Sequence, residues 1–262
     1  MLLENKVAVI YGAGGVGGAV ARAFAREGAT VFLASRNLSK AEAVAKEIKA
    51  KGGTAETAKV DALDEKAVEK HLQSVIDKAG RIDISLNAVG IPNTKLQGIP
   101  FVDLPVEQFA QPIETYPKSF FITSRQAARR MAPNKSGVIM TVTPVVARIG
   151  MPLIGGFAPA MSALESLTRG LSAELAPQGI RVVCLRAQGM PDSDTFKEVL
   201  GIHGKAYGIT AKQFEELIAQ RTHAHRLTTL AETANAAAFA ASDQASGLTG
   251  TVVNLSLGML DD

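Results

Sequence analysis

A glycine-rich segment near the amino terminus constrains the fold of this chain more than any other feature. It reads Tyr11-Gly12-Ala13-Gly14-Gly15-Val16-Gly17-Gly18-Ala19. The apolar run Lys6–Tyr11 leads into it and the helical run Val20–Arg26 follows it. Three of its glycines, Gly12, Gly14 and Gly17, match the pattern G-x-G-x-x-G in the strand-turn-helix context that gives the pattern its meaning. Glycines let the backbone approach a diphosphate at the helix start, so the segment predicts a dinucleotide-binding βαβ unit.

The rest of the chain continues the same alternation. Short β-branched apolar runs separate longer segments that are rich in Ala, Glu and Lys. The predicted strands are Lys6–Tyr11, Thr30–Ala34, Glu56–Val60, Ile82–Asn87, Gly137–Val142, Ile180–Leu185 and Thr251–Leu255. This spacing predicts one α/β Rossmann domain over residues 1–262, with a doubly wound parallel sheet of about seven strands and helices on both faces.

Several helix starts can be read directly. Ser39-Lys40-Ala41-Glu42 and Thr229-Leu230-Ala231-Glu232 have the form of capping boxes. Asp64 is the predicted N-cap of a helix over Glu65–Ala79 that ends at Gly80. Only Pro191–Arg226 departs from the alternation, with three glycines and one amphipathic helix around Ala211–Gln220. We predict that residues 191–226 form a lid over a substrate cleft.

The residues at the end of the second strand indicate which nicotinamide cofactor the chain prefers. An Asp or Glu there would bind a free ribose 2′-hydroxyl, but the chain reads Ala34-Ser35-Arg36-Asn37. Arg36 can pair with a 2′-phosphate and Ser35 can add a hydroxyl donor, which favours NADP(H) over NAD(H). A solvated surface arginine is the alternative interpretation of Arg36.

Further cofactor contacts are expected where other parallel strands end. The glycine loop is expected to contribute Gly12, Gly14, Gly15, Val16 and Gly17. Other strand ends are expected to contribute Asp61, Ala62, Asn87, Ala88, Val89, Gly90 and Gly189. Asp or Asn at such a position is equally common as a simple turn former.

Composition excludes other function classes. Of the 262 residues 47% are hydrophobic and 20% are charged, and basic residues alternate with acidic ones despite the net charge of +3. We therefore expect no nucleic-acid surface.

The start of the chain lacks the pattern of a signal peptide and no long apolar span follows, which predicts a cytoplasmic protein without a membrane segment. Cys184 lies in an apolar run and is expected to be buried. His223 and His225 lack further ligands at suitable spacing, so no metal is expected.

The chain resembles the short-chain dehydrogenase/reductase family over essentially its whole length. Its glycine loop is one residue shorter than the family's usual G-x-x-x-G-x-G. The other landmarks are Asp61, Asn87-Ala88-Val89-Gly90, the helix Phe157–Glu174 leading into Gly179-Ile180-Arg181-Val182, and Leu248-Thr249-Gly250-Thr251-Val252-Val253-Asn254. The resemblance implies assembly into homodimers or homotetramers through the helices Phe109–Met131 and Phe157–Leu175. A hetero-oligomer with an active relative is the alternative.

The resemblance also implies a catalytic Asn-Ser-Tyr-Lys tetrad, and this chain departs from it at every position. Thr115 stands at the Asn position, Pro144 at Ser, Phe157 at Tyr and Met161 at Lys. Phenylalanine has no proton to transfer and methionine no charge, so carbonyl reduction by the usual route should be severely impaired. We expect Thr143, Phe157 and Met161 to line the substrate pocket, although core packing explains the last two equally well.

Other residues could replace the lost groups. Thr143 keeps a hydroxyl beside Pro144, Tyr116 and Lys118 flank Thr115, and Arg148 follows the fifth strand. Thr143 and Tyr116 are the candidates we retain, and the sequence leaves the catalytic residue unknown.

The sequence is compatible with three functions: an atypical reductase of a small-molecule carbonyl or activated alkene, a silent cofactor-binding partner or sensor, and a non-redox enzyme that uses the same pocket.

Overall fold

The computed structural model describes residues 1–261 and contains one seven-stranded sheet. Its strands are β1 Val7–Tyr11, β2 Thr30–Ser35, β3 Thr54–Lys59, β4 Ile84–Asn87, β5 Gly137–Pro144, β6 Ile180–Ala187 and β7 Thr251–Leu255. They follow the order β3-β2-β1-β4-β5-β6-β7 and all pair in parallel. The predicted parallel Rossmann sheet is therefore confirmed, and each predicted strand overlaps an observed one.

Helices cover both faces of this sheet. They are α1 Gly15–Arg26, α2 Leu38–Ala50, α3 Glu65–Ala79, α4 Val106–Met131, α5 Phe157–Leu175, α6 Asp194–Ala206, α7 Ala211–Ala219 and α8 Leu230–Ala241. Alternate residues of β1 serve two separate cores: Ile10 packs with α1, α2 and α8, whereas Val9 packs with α3, α4 and α5. None of the helices within residues 1–261 is long and apolar enough to cross a membrane.

Two predicted helix caps are confirmed and one is wrong. The Asp64 carboxylate accepts the N–H groups of Lys66 and Ala67, and Gly80 ends α3 in the left-handed conformation. The Thr229–Glu232 capping box forms as predicted. The Ser39 box does not form, because α2 begins at Leu38 and Asn37 is its N-cap. Ser39 is already inside the first turn, where its hydroxyl donates to Asn37 Oδ1 at 2.7 Å.

The segment from 191 to 226 contains two helices where the sequence predicted one. The missed helix, α6, is capped by Ser193, whose hydroxyl accepts the N–H of Phe196. Gly204 lies inside it at a close approach of two backbone segments, since a Cβ there would be 3.0 Å from both Ala211 N and Ile209 O. Gly204 therefore allows α6 to pack against the turn into α7.

Candidate functional site

A cavity of about 1430 Å³ opens at the carboxyl ends of the strands. It lies where the strand order reverses between β1 and β4, the place at which open α/β sheets bind ligands. One end is lined by the glycine loop and the start of α2, and the other by the segment after β5 and by α6 and α7. The fold thus joins a polar and an apolar compartment in one continuous space.

The glycine loop has the shape that a diphosphate requires. Gly12 has a φ of +108°, and a Cβ there would meet Ala88 O at 2.2 Å. A Cβ on Gly17 would lie 1.8 Å from Gly12 O, whereas one on Gly14 would meet no atom within 4 Å. Gly14 caps α1 without any side-chain hydrogen bond, so the first N–H groups of that helix remain available to an anion. Gly17 does not line the cavity and instead permits close packing of α1 on the loop.

The opposite wall of this polar end is basic. Arg36, Lys40 and Lys59 line the cavity and are exposed. Ser35 also lines it, and its hydroxyl oxygen accepts the N–H of Asn37 at 3.2 Å. The sequence predicted Arg36 and Ser35 as cofactor contacts, and both line the cavity, whereas it did not single out the two lysines. Lys59 joins them through the pairing of β2 with β3, which places it beside Ser35.

The ends of β3 and β4 complete the polar end. Asp61, Ala62, Ala88, Val89 and Gly90 line the cavity, and so does Gly189 after β6. Asn87 lies behind them, where its amide donates to Thr123 Oγ1 at 3.1 Å and its carbonyl oxygen accepts the N–H of Val89 at 3.3 Å. Asn87 therefore fixes the loop after β4 to α4 instead of facing the cavity.

The four residues that the sequence predicts at the tetrad positions lie on the cavity wall. Thr115, Pro144, Phe157 and Met161 all line it. Tyr116 lies among them, with its ring edge-on to Phe157 at a centroid distance of 5.6 Å. Its hydroxyl oxygen accepts the N–H of Ile91 at 3.3 Å, and burial raises the pKa of this phenol to about 12. Within residues 1–261 the Tyr116 proton has no acceptor, so the phenol remains a hydrogen-bond donor on the cavity wall.

Thr143 lines the cavity but directs its hydroxyl into the protein. The hydroxyl donates to Glu165 Oε1 at 3.0 Å. Arg186 binds both carboxylate oxygens of Glu165, at 2.7 and 2.8 Å, and both side chains are 3% exposed. Cys184 beside them is buried as predicted, and burial raises the pKa of its thiol to about 12. This cluster stabilises the packing of α5 on β5 and β6 beneath the site.

The other sequence candidates lie elsewhere. Lys118 and Arg148 are exposed and do not line the cavity. Tyr207 lines its apolar end, whereas His203 is buried behind that wall and stacks on Phe214 at 5.2 Å. Among residues 1–261, no three His, Cys, Asp or Glu side chains are grouped to hold a metal ion.

Contacts from α6 hold the 191–226 segment against the loop after β4. Glu198 accepts hydrogen bonds from the N–H of Asn93 at 3.2 Å, the N–H of Thr94 at 3.0 Å and the Thr94 hydroxyl at 2.7 Å. His203 Nε2 lies 3.0 Å from Gln97 Oε1. The two elements that border the apolar end are therefore joined by polar contacts. Sequence reasoning missed them because no local pattern marks them.

The family model described as enoyl-(acyl carrier protein) reductase matches residues 12–259. The chain belongs to the short-chain dehydrogenase/reductase family. Among relatives in this family, the 7α-hydroxysteroid dehydrogenase of Escherichia coli K12 is 32% identical over 98% of this chain and 94% of its own length. The 3-oxoacyl-[acyl-carrier-protein] reductase FabG of Rickettsia conorii is 30% identical, with 98% of each chain covered.

Solved structures of the same family share this fold. A 7α-hydroxysteroid dehydrogenase crystallised with NADH and 7-oxo glycochenodeoxycholic acid is 30% identical, with a TM-score of 0.86 over 99% of this chain and 96% of its own. The sorbitol-6-phosphate 2-dehydrogenase SrlD of Erwinia amylovora is 25% identical, with a TM-score of 0.90 over 97% of this chain and 100% of its own. Membership of the short-chain dehydrogenase/reductase family indicates that this protein is an oxidoreductase.

Proposed function

We propose that this protein is an NADP(H)-dependent reductase of a carbonyl or activated alkene, in which Tyr116 replaces the usual tyrosine. The observation that carries the proposal is the single cavity that joins the glycine loop to an apolar chamber, with a phenol on the wall between them. Relatives that reduce oxo groups, or that were crystallised with a nicotinamide cofactor, support it.

The polar end fits a phosphorylated dinucleotide. Gly14 leaves open space at the start of α1, where backbone N–H groups would hold the diphosphate. Arg36, Lys40 and Lys59 would bind a 2′-phosphate, because a guanidinium forms paired charge-assisted hydrogen bonds with phosphate and the two ammonium groups add positive charge. A bound nicotinamide nucleotide would supply the hydride.

Tyr116 would polarise the oxygen of the substrate. Its phenol keeps its proton at neutral pH, because its pKa is raised to about 12 by burial. It would therefore donate a hydrogen bond to the oxygen that gains negative charge as the hydride arrives, and the reduced product would then take its proton from water. The Ile91 N–H fixes the hydroxyl oxygen at 3.3 Å, and Phe157 holds the ring edge-on.

A silent cofactor-binding role is the second candidate. Phe157 and Met161 line the cavity with apolar side chains. The sequence resemblance aligns them with the family's proton donor and its lysine. Such a protein would bind the nucleotide without turnover, as a sensor or as a partner of an active relative. An enzyme that used the same apolar pocket for non-redox chemistry would likewise not oxidise NADPH.

The test is to incubate the purified protein with NADPH and separate sets of ketones, enones and acyl thioesters, while following the absorbance of the reduced nicotinamide. We expect turnover with at least one set, and Tyr116→Phe should lower kcat/KM about 10²–10³-fold, as loss of one oxyanion donor does. Tyr207→Phe is the matched control, because it removes another cavity phenol at the apolar end.

Turnover that is unchanged in Tyr116→Phe would exclude the role of this phenol. Thermal stabilisation by NADPH without turnover of any substrate would favour the silent role. A Phe157→Tyr, Met161→Lys double variant then shows whether the remaining machinery is intact. Recovered ketone reduction in that variant would mean that only the two missing groups prevent catalysis.

A further inference from the structure

One face of α7 presents a stripe of apolar side chains to the cavity, and a basic side chain follows where the helix ends. Phe214, Leu217 and Ile218 line the cavity, and so does Arg221 just beyond the end of the helix. The spacing i, i+3 and i+4 places Phe214, Leu217 and Ile218 on one side of the helix, and Arg221 follows in the turn after the helix ends. About 6 Å of helix separates Phe214 from Ile218, since each residue adds about 1.5 Å. The stripe therefore runs along the cavity wall towards a positive charge.

The remaining wall of this end is apolar as well. The segment after β5 contributes Val145, Val146, Ile149, Met151 and Ile154 to the cavity. Two large side chains of the lining are strongly exposed: Leu217 is 53% exposed and Tyr207 is 43% exposed. Exposed apolar surface inside a cavity is typical of a binding site for an apolar ligand.

Arg221 is the basic group of this end that lacks an internal partner. Within residues 1–261 its side chain forms no ion pair or hydrogen bond, and it is exposed. Two acidic side chains line the same end but are engaged elsewhere. Glu198 accepts its three hydrogen bonds from Asn93 and Thr94, and Asp194 Oδ1 lies 3.6 Å from Lys197 Nζ. The guanidinium is thus free to pair with an anion from a ligand.

We propose that the apolar end of the cavity binds an extended apolar molecule with one anionic group, whose body lies along the Phe214–Ile218 stripe and whose anion pairs with Arg221. As a statement about substrate, the inference rests on the proposed reductase function. The binding itself requires neither the nucleotide nor turnover.

The experiment uses three amphiphiles with the same alkyl chain: decanoate, 1-decanol and decyltrimethylammonium. Isothermal titration calorimetry with the full chain measures each affinity, with and without NADPH. Decanoate should bind most tightly. Arg221→Ala should weaken it about 5-fold, the size expected for a partly exposed ion pair, and leave 1-decanol unchanged. Arg221→Glu should reverse the order, so that decyltrimethylammonium binds better than decanoate. Leu217→Ser should weaken all three.

Lys205→Ala and Lys205→Glu are the matched controls, because Lys205 is exposed on α6 and does not line the cavity. They make the same charge changes and should leave the order of affinities as in the unmodified protein. Equal affinity for decanoate and 1-decanol, no binding of any amphiphile, or an unchanged order in Arg221→Glu would overturn the proposal.

The outcome is separable from that of the proposed function. Arg221-dependent binding of decanoate to a protein that does not bind NADPH would support this inference and refute the reductase. Reduction of neutral substrates by a protein that does not discriminate among the three amphiphiles would refute the inference and leave the reductase in place.

Discussion

Arg36 is the residue on which the proposed preference for NADP(H) depends most directly. It lies at the cavity wall with Lys40 and Lys59, and no acidic side chain takes the position that would bind a ribose hydroxyl. We expect Arg36→Asp to weaken NADPH binding about 10–100-fold, because a charge-assisted phosphate contact contributes about 1.5–3 kcal/mol. NADH binding should strengthen, since the new carboxylate accepts from the 2′-hydroxyl.

Titration of both nucleotides by calorimetry measures this change. Lys51→Asp at the far end of α2 makes the same change of charge away from the cavity, so it should leave the NADPH-to-NADH ratio as it was. A ratio that does not respond to Arg36→Asp would show that Arg36 is a solvated surface residue.

At the scale of single residues, the sequence predicted more of the lining at the polar end of the cavity than at the apolar end. Gly12 and Gly14 belong to a pattern formed by residues close together in the chain, and Arg36 comes directly after the second predicted strand. Both signals can be recognised without knowledge of the fold. Lys59 was missed because its place on the cavity wall depends on the register of β3 against β2. Arg221 was missed because only the fold of the 191–226 segment brings it to the cavity.

Among the elements, α6 and the loop after β4 are joined by polar contacts beside the apolar end. Three hydrogen bonds to the Glu198 carboxylate connect them. If residues 191–226 are a lid, Glu198→Ala should let it open more often, and exchange of the Asn93 and Thr94 amide hydrogens should speed up about 10-fold. Hydrogen exchange followed by mass spectrometry measures this rate.

Glu215→Ala on α7 is the control, because Glu215 makes no hydrogen bond to that loop and does not line the cavity. Exchange that is equally fast in both variants would mean that the 191–226 segment is held by its apolar contacts. Hydrogen bonds from Thr94 and Asn93 lower the pKa of Glu198 despite its partial desolvation. The carboxylate contacts should therefore persist at neutral pH and weaken as the pH falls through that lowered pKa.

The regular elements were predictable because their periods and caps are local. Asp64 and Gly80 mark α3 in the sequence as clearly as in the structure. Errors arose where two local signals competed, as at α2, where Asn37 and Ser39 are both good caps and the helix starts at the earlier one. They also arose at α6, where Gly201 and Gly204 suggested a loop that tertiary packing overrides.

For the molecule as a whole, one buried histidine should make stability depend on pH. His71 is 8% exposed, lies 3.3 Å from the Tyr11 hydroxyl through Nδ1, and has its pKa lowered to about 4 by burial and by the charge of Lys78. Below about pH 6.5 the unfolded chain therefore binds a proton that the native state does not. Stability is full above that pH and should fall by about 3 kcal/mol towards pH 4.

Urea unfolding of the wild-type protein and His71→Gln at about pH 7 and about pH 4.5 measures this contribution as a difference. The variant should lose clearly less stability on acidification, because glutamine does not titrate. Glu198, whose lowered pKa acts in the same direction, is present in both proteins and cancels. An equal loss in the two proteins would contradict the assignment to His71.

Assembly is the property of the whole molecule that the resemblance predicts, through α4 and α5. Gly170 lies on the exposed side of α5, where an added Cβ would meet no atom of its own chain within 4 Å. Gly170→Arg should therefore be tolerated by the monomer, and an alanine-like helix propensity would even favour α5. Across a close-packed pair of helices the same arginine would clash, so the variant should shift from a dimer or tetramer to the 27.5 kDa monomer.

Light scattering coupled to size-exclusion chromatography distinguishes these masses. Gly201→Arg is the matched control, because Gly201 is also exposed, lies in helix α6 and has no neighbour within 4 Å of an added Cβ. It should leave the assembly unchanged. If Gly170→Arg assembles like the wild-type protein, α5 does not form the interface at this position. If the unmodified chain is already monomeric, the predicted assembly is wrong, and the site must be complete within one copy.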